Sequence, residues 1–273
     1  MRPFGAMDPL LSFGGLFQRA LTWGPVLVSS AAVALAVHVS AQNPVYAAIL
    51  VALSLSAFLP SILARRRFRR LLRSGDPARI SALWRRVPDE TGAARAAEAL
   101  MNAVTYAACG WVDEARAQLR QSGWDRVLDP TGEHRLFVET LLEAFDGDRS
   151  LALQHAARVA ALPMPKVGGR LQRRVMALRV SLGALARAFA HVSVAGDLEI
   201  LEQAARSSPL VTWAMRYAAA IVSVDRNEPV RALAMLNGAP AWPPQSAFQA
   251  FHRELMLHIA QNSTEVGKGQ VSG

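Results

Sequence analysis

Charged side chains are absent from residues 20–64, between Arg19 and Arg65. A helix of about 20 apolar residues crosses the ~30 Å hydrocarbon core of a bilayer. Inside lipid the backbone must pair its own amides, which favours helices. The uncharged stretch divides at residues 40–44 (Ser-Ala-Gln-Asn-Pro), which are polar and contain a helix-breaking proline. We therefore predict two transmembrane helices, over 21–39 and 45–63, joined by a short turn.

The composition agrees with a chain that lies partly in lipid. Hydrophobic residues make up 52% of the chain and charged residues only 19%. Cys109 is the only cysteine, which excludes an intrachain disulfide and a zinc site built from cysteines.

A cluster of arginines follows the second predicted span. Residues 1–73 hold eight arginines and one acid, Asp8, so most of the net charge of +9 lies near the membrane exit. By the positive-inside rule, both ends of the hairpin are predicted to be cytoplasmic. We expect the cluster to anchor the chain and to contact anionic lipid headgroups. Its members are Arg65, Arg66, Arg67, Arg69, Arg70 and Arg73.

An alternative treats the N-terminus as a cleaved secretory signal, because residues 39–41 (Val-Ser-Ala) are small. The first apolar stretch begins late for a signal, and a second follows at once. Even after cleavage, the second span and its arginines would leave the rest of the chain in the cytoplasm.

From residue 74 onward the pattern has helical periodicity, with short interruptions and no alternating strand pattern. We therefore predict an all-α protein: two N-terminal transmembrane helices followed by an array of antiparallel helical hairpins. The predicted order is an N-terminal cytoplasmic segment (1–20), the membrane hairpin (21–64), a basic exit segment (65–73), a cytoplasmic helical domain (74–261) and a flexible tail (262–273).

The longest predicted helix after the membrane spans 169–191. It carries a regular apolar stripe, which would suit a coiled coil between two copies. We favour a helix buried within the array, because no neighbouring segment continues the repeat. Arginines along the helix make membrane insertion costly. The stripe consists of Leu171, Val175, Leu178, Leu182, Leu185 and Phe189.

The run Tyr106-x3-Gly110-x4-Ala115-x3-Leu119, with Ala103 before it, resembles the tetratricopeptide repeat. The resemblance extends weakly over residues 91–240, with turns near 110, 147, 196 and 227 at uneven spacing. The family's tryptophan and leucine positions hold Ala99 and Asn102 here. The resemblance implies an α-solenoid that binds a protein or peptide through a concave helical face.

Catalytic and metal-binding motifs are absent from the sequence: there is no GxxxxGK[ST], HExxH, GxSxG or CxxC. His252 and His258 share a predicted helix but lie on different faces, so one metal cannot take both. We predict no catalytic residues, no metal and no cofactor. Nucleic acid is not an expected partner either, because residues 74–273 carry little net charge.

Two features are candidates for a partner surface. Lys166, Arg170, Arg173 and Arg174 surround a helix start, where positive charge opposes the helix dipole. Their alternative is an ordinary solvated face. Core packing is the favoured interpretation of the tryptophans, and Trp242, between Ala241 and two prolines, is predicted to be the most exposed of them and so a candidate for a partner surface.

The sequence thus favours a membrane-anchored scaffold, placed in a bacterial inner membrane, that binds an unidentified protein. The alternative is an accessory or regulatory subunit of a membrane enzyme or transport complex. A homo-oligomer formed through the apolar stripe of helix 169–191 is a third hypothesis.

Overall fold

A computed structural model describes residues 59–60, 62–84, 92–122, 132–164 and 169–269, and within them every regular element is a helix. For these residues the all-α prediction is confirmed. The chain divides into two compact units, Met1–Arg70 and Leu71–Gly273. The described residues of the first unit, 59–60 and 62–70, are helical.

Among the described residues no helix is both long and apolar enough to cross a membrane. The predicted span 21–39 lies wholly outside the described residues. Of the predicted span 45–63, only 59–60 and 62–63 are described, and they are helical and exposed. The membrane hairpin stays a prediction.

The second unit is built from ten described helices, and the sixth of them agrees within two residues with the predicted helix 169–191. They are α1 Pro77–Trp84, α2 Gly92–Ala108, α3 Val112–Gln121, α4 Gly132–Asp146, α5 Arg149–Ala161, α6 Gly169–Phe189, α7 Asp197–Ser207, α8 Thr212–Asp225, α9 Pro229–Leu236 and α10 Ala247–Gly269.

Helix α10 extends into the predicted flexible tail, and the flexibility of residues 262–273 stays a prediction. The helix continues through residues 262–269 to Gly269. No proline interrupts this stretch, and adding residues to an existing helix is much easier than starting a new one. A polar composition alone therefore did not predict where the helix ends.

Aspartates begin two of the helices. Asp76 Oδ1 accepts hydrogen bonds from the backbone N–H groups of Ala78 and Arg79, at 3.1 and 3.2 Å. Asp148 caps α5 in the same way through the N–H of Ser150, at 2.7 Å. These side chains satisfy donors that the first helical turn leaves unpaired.

Residues with a left-handed backbone conformation follow the ends of three helices. Gly110 follows α2 with φ +76°, and the N–H of Trp111 donates to the carbonyl of Tyr106 at 2.9 Å. His191 after α6 and Asn227 after α8 adopt φ 57° and 58°. This closure turns each helix sharply into the next one of its pair.

The helices stack in two layers. Helices α2, α4, α6, α8 and α10 each pack against the next in this series, and α1 packs against α2. Helices α3, α5, α7 and α9 form the second layer, and each packs against the two first-layer helices that flank it in sequence. Consecutive helical hairpins stacked side by side give this order of contacts.

Helix α8 lies at the centre of the core. Between residues 212 and 223 only Arg216 is not buried. Alanines and small side chains fill much of this helix, so its four neighbours α6, α7, α9 and α10 can approach it closely.

Candidate partner-binding surfaces

The residues that resemble the tetratricopeptide repeat lie in the hairpin formed by α2 and α3. Ala103 and Ala115 are fully buried, and their small size lets the two helices approach each other. The Tyr106 ring lies 6.2 Å from that of Trp111, and Leu119 is half-buried. These contacts hold the hairpin together, so this part of the motif packs the fold.

The start of α10 contacts four first-layer elements near the same end. The N–H of Ala247 donates to the carbonyl of Gly110, just after α2, at 2.8 Å. The Phe248 ring lies 5.3 Å from Phe145 of α4 and 4.9 Å from Tyr217 of α8. Phe251 lies 5.2 Å from Phe189 of α6.

The chain's own aromatic side chains therefore fill the space between the start of α10 and these helices. Phe145, Phe189, Tyr217 and Phe248 are all nearly or fully buried. A peptide could not enter here without displacing α10. The concave face implied by the tetratricopeptide resemblance stays a prediction.

Trp242 belongs to the same filled region, and its predicted exposure is wrong. The side chain is only 7% exposed, and its Nε1–H donates to the Tyr217 hydroxyl at 2.7 Å. The Trp213 ring packs edge-on against it at 5.8 Å. The adjacent prolines predicted a surface loop, but this loop folds back over α8. Trp242 is therefore a core residue, and we remove it from the candidate surface.

Tyr217 links Trp242 to His252. Burial raises the pKa of the Tyr217 hydroxyl, and the hydrogen bond from Trp242 only partly offsets this. The neutral hydroxyl lies 3.1 Å from Nδ1 of His252. The chain of three polar groups fixes the cluster's geometry.

Cys109 lies at the end of α2 and is 2% exposed. Burial, with a smaller contribution from the negative charge of Asp76, raises the pKa of its thiol to about 12. The thiolate is the nucleophilic form of cysteine, so this side chain is unreactive at neutral pH. Cys109 is the small buried hydrophobe that its sequence context favours. In the described residues no three histidine, cysteine, aspartate or glutamate side chains form a possible metal site.

The apolar stripe of α6 faces the core of the array. Val175, Leu182, Leu185 and Phe189 are at most 2% exposed. The interpretation of α6 as a helix buried in an array is confirmed. Leu171 and Leu178 of the same stripe are half-buried, and pairing of two copies through the stripe stays a prediction.

Two ion pairs of α6 were not predicted. Arg179 is nearly buried and forms two hydrogen bonds with Glu133, at 2.8 and 2.9 Å, and a third with the Leu162 carbonyl at 2.7 Å. The Arg187 guanidinium likewise donates two hydrogen bonds to the Asp197 carboxylate. From the sequence alone, these two arginines indicated only that inserting this helix into a membrane would be costly. The spacing of 46 residues between Arg179 and Glu133 gave no local signal.

The predicted basic cluster is described only in part. Lys166 lies outside the described residues, and only the backbone of Arg170 is described. Arg173 and Arg174 are exposed on the first half of α6. The Arg173 Nε–H donates to the carbonyl of Gly169 at 3.3 Å. These two arginines remain candidates for a partner surface.

The membrane-exit arginines are also exposed. Arg65, Arg66, Arg67, Arg69 and Arg70 lie on the helical segment 62–72. Arg73 follows it and contacts the array directly: its carbonyl accepts from Trp213 Nε1 at 2.8 Å, and its guanidinium donates to the carbonyl of Arg206 at 3.1 Å. Arg73 therefore also ties the start of the second unit to α7 and α8.

Comparison with protein-family models, with characterised proteins and with solved structures finds no significant match to this chain.

Proposed function

We propose that this protein is a membrane-anchored scaffold whose helical array binds another protein. The observation that carries the proposal is the stacking order of the ten helices. Each second-layer helix packs between two first-layer helices, as in repeat proteins of the tetratricopeptide kind. Such arrays present extended helical surfaces, and protein binding is the use that this architecture favours.

The membrane anchor is part of the proposal and rests on the sequence. The uncharged residues 20–64 and the arginines after them favour a helical hairpin with the array on the cytoplasmic side, in a bacterial inner membrane. Anchoring confines the array to the membrane, which raises its effective concentration toward other membrane-bound components. A weak binding surface can then be sufficient.

Crosslinking in the native membrane tests this function. The full-length chain is crosslinked in place, purified and analysed for covalently attached proteins. A chain ending at residue 73 serves as the control for nonspecific capture in the membrane. We expect one protein to be enriched with the full-length chain and absent from the control.

Recovery of the chain alone, together with turnover of a membrane substrate, would overturn the scaffold function. Enrichment of the subunits of one membrane enzyme or transport complex would identify the scaffold as an accessory subunit of that complex.

A further inference from the structure

Two arginines meet at Trp213, near the start of α8. The Trp213 Nε1–H donates to the carbonyl of Arg73 at 2.8 Å, and Cζ of Arg216 lies 4.6 Å from the centre of the Trp213 ring. The Arg73 guanidinium donates to the carbonyl of Arg206, at the end of α7, at 3.1 Å. Positive charge is therefore concentrated where the end of α7, the start of α8 and the residues before α1 come together.

No carboxylate of the described residues pairs with Arg73 or Arg216, although other arginines of the array are paired closely. Asp76, the nearest acid to Arg73 in sequence, caps α1 and pairs with Arg79 at 3.0 Å. Glu202 lies 3.8 Å from Arg206 but is bound by Arg231 at 2.8 Å. The closely paired arginines are Arg79, Arg116, Arg135, Arg179, Arg187 and Arg231.

The charges of Arg73 and Arg216 are close enough to act on each other. Burial lowers the pKa of the Arg216 guanidinium, Tyr217 opposes this effect, and the positive charge of Arg73 adds to it. Like charges that lie close together disfavour the charged form of each group. A bound anion would remove this repulsion, and groups whose charge is disfavoured in this way are concentrated at functional sites.

The Arg216 guanidinium is held in place and still has donors for a ligand. Its Nη2 donates to the carbonyls of Ala234 and Asn237, at the end of α9, at 3.1 and 2.7 Å. These bonds use two of the five N–H hydrogens of a guanidinium and leave three. Because stacking on Trp213 also orders the side chain, binding a ligand would cost little conformational entropy.

We propose that Arg73 and Arg216 form a binding site for a phosphate group. The planar fork of guanidinium N–H groups matches the oxygens of a phosphate, and two arginines supply the charge that it needs. Arg73 is the tenth residue after Leu63, where the second membrane span is predicted to end. Headgroup phosphates are then the phosphates at the highest local concentration. This lipid source rests on the membrane anchor proposed above.

A headgroup bound at this site would orient the array at the membrane. Arg73 contacts α7 and α8, and Arg216 contacts α8 and α9, so one lipid would hold three helices. A scaffold held in one orientation presents the same surface to each membrane-bound partner.

Lipid binding by the purified full-length chain in detergent tests the site. Native mass spectrometry measures the affinity for phosphatidylglycerol, which is anionic, and for phosphatidylcholine, which has no net charge. Arg73→Gln together with Arg216→Gln should weaken phosphatidylglycerol binding about tenfold, because both charge-assisted contacts are lost. Binding of phosphatidylcholine should be unchanged.

Arg158→Gln with Arg253→Gln is the matched control. It removes two other exposed arginines and should leave phosphatidylglycerol binding unchanged. Both double variants keep the five arginines of residues 65–70, so lipid bound by those residues is common to both. Arg73→Gln alone removes one exposed hydrogen bond. It should weaken binding about threefold without changing the melting temperature, which separates binding from folding.

Inorganic phosphate distinguishes the two sources of the ligand. Tighter arginine-dependent binding of inorganic phosphate than of phosphatidylglycerol would keep the site and overturn the lipid source. Equal binding of both probes by the two double variants would overturn the site.

The crosslinking described above tests the scaffold function independently of this site. Capture of a partner with equal lipid binding by the two double variants would overturn the phosphate site alone. Arginine-dependent lipid binding, with recovery of the chain alone and turnover of a membrane substrate, would overturn the scaffold function alone.

Discussion

At the scale of single residues, Gly75 connects the helical segment 62–72 to the array. Its φ is +71°, and a Cβ atom added there would lie 2.5 Å from Cζ3 and 2.7 Å from Cη2 of Trp242. Both the left-handed backbone and the packed indole ring disfavour a side chain. We expect Gly75→Ala to lower the free energy of unfolding by about 3 kcal/mol. Denaturant unfolding in detergent, monitored by tryptophan fluorescence, measures this loss of stability.

Gly238 is the matched control for this substitution. Its φ is +73°, but no atom lies within 4 Å of the added Cβ. Gly238→Ala should therefore lower the free energy of unfolding only through the disfavoured backbone conformation, by about 1 kcal/mol. Equal losses for the two variants would contradict the packing of Gly75 against Trp242.

The environment of Asp197 predicts how the stability of the protein depends on pH. Its side chain is 1% exposed. Desolvation by burial raises the pKa of this carboxyl, but hydrogen bonds from Arg187 and from the Val194 N–H outweigh it, so the pKa is lowered overall. A lowered pKa stabilises the folded state above the unfolded value near 4, and the stabilisation is lost as the pH falls through the folded value.

We expect Asp197→Asn to lower the free energy of unfolding by about 2 kcal/mol at pH 7. The difference from the unsubstituted chain should shrink below about pH 4. Asp146, 63% exposed and paired with Arg116, is the control, and Asp146→Asn should change stability by less than about 0.5 kcal/mol. Denaturant unfolding between pH 3 and 7 measures both. A pH-independent loss for Asp197→Asn would contradict this account.

At the scale of the elements, the start of α10 packs against α4, α6 and α8. Phe248 is fully buried at its start, whereas Leu257 is 58% exposed three turns later. Phe248→Ala should lower the free energy of unfolding by about 4 kcal/mol, because it removes buried apolar surface and leaves a cavity. Leu257→Ala should lower it by less than about 0.5 kcal/mol. Denaturant unfolding compares the two. Similar small losses would show that the start of α10 is not seated among α4, α6 and α8.

The sequence predicted the helices well because their signals are local. Asp76, Asp148 and Gly110 begin or end helices through contacts with residues a few positions away. The predicted end of α6 lies two residues beyond Phe189, because His191 adopts the left-handed conformation that glycine usually supplies.

Long-range features could not be predicted in this way. The burial of Trp242 depends on Tyr217 and Gly75, which are distant in sequence. The docking of Ala247 on Gly110 likewise joins the two ends of the array. Arg73 was identified from the sequence as a membrane-exit arginine, but Arg216 near it became apparent only because Trp213 contacts both.

At the scale of the whole molecule, the proposed function combines two parts: a predicted N-terminal membrane hairpin and a stacked helical array. The hairpin is inferred from residues 20–64, whereas the array is described within Leu71–Gly273. The proposed function needs both, because a scaffold acts at the membrane only if its array is held there on the side of its partner.

Cysteine labelling in right-side-out membrane vesicles tests this arrangement most directly. Cys109 is buried with a raised thiol pKa, so an added cysteine is the only reactive one. With a membrane-impermeant maleimide, Gln42→Cys in the predicted turn should be labelled in intact vesicles. Val230→Cys, at an 83% exposed position of the array, should be labelled only after permeabilisation. Labelling of Val230→Cys in intact vesicles would contradict the account.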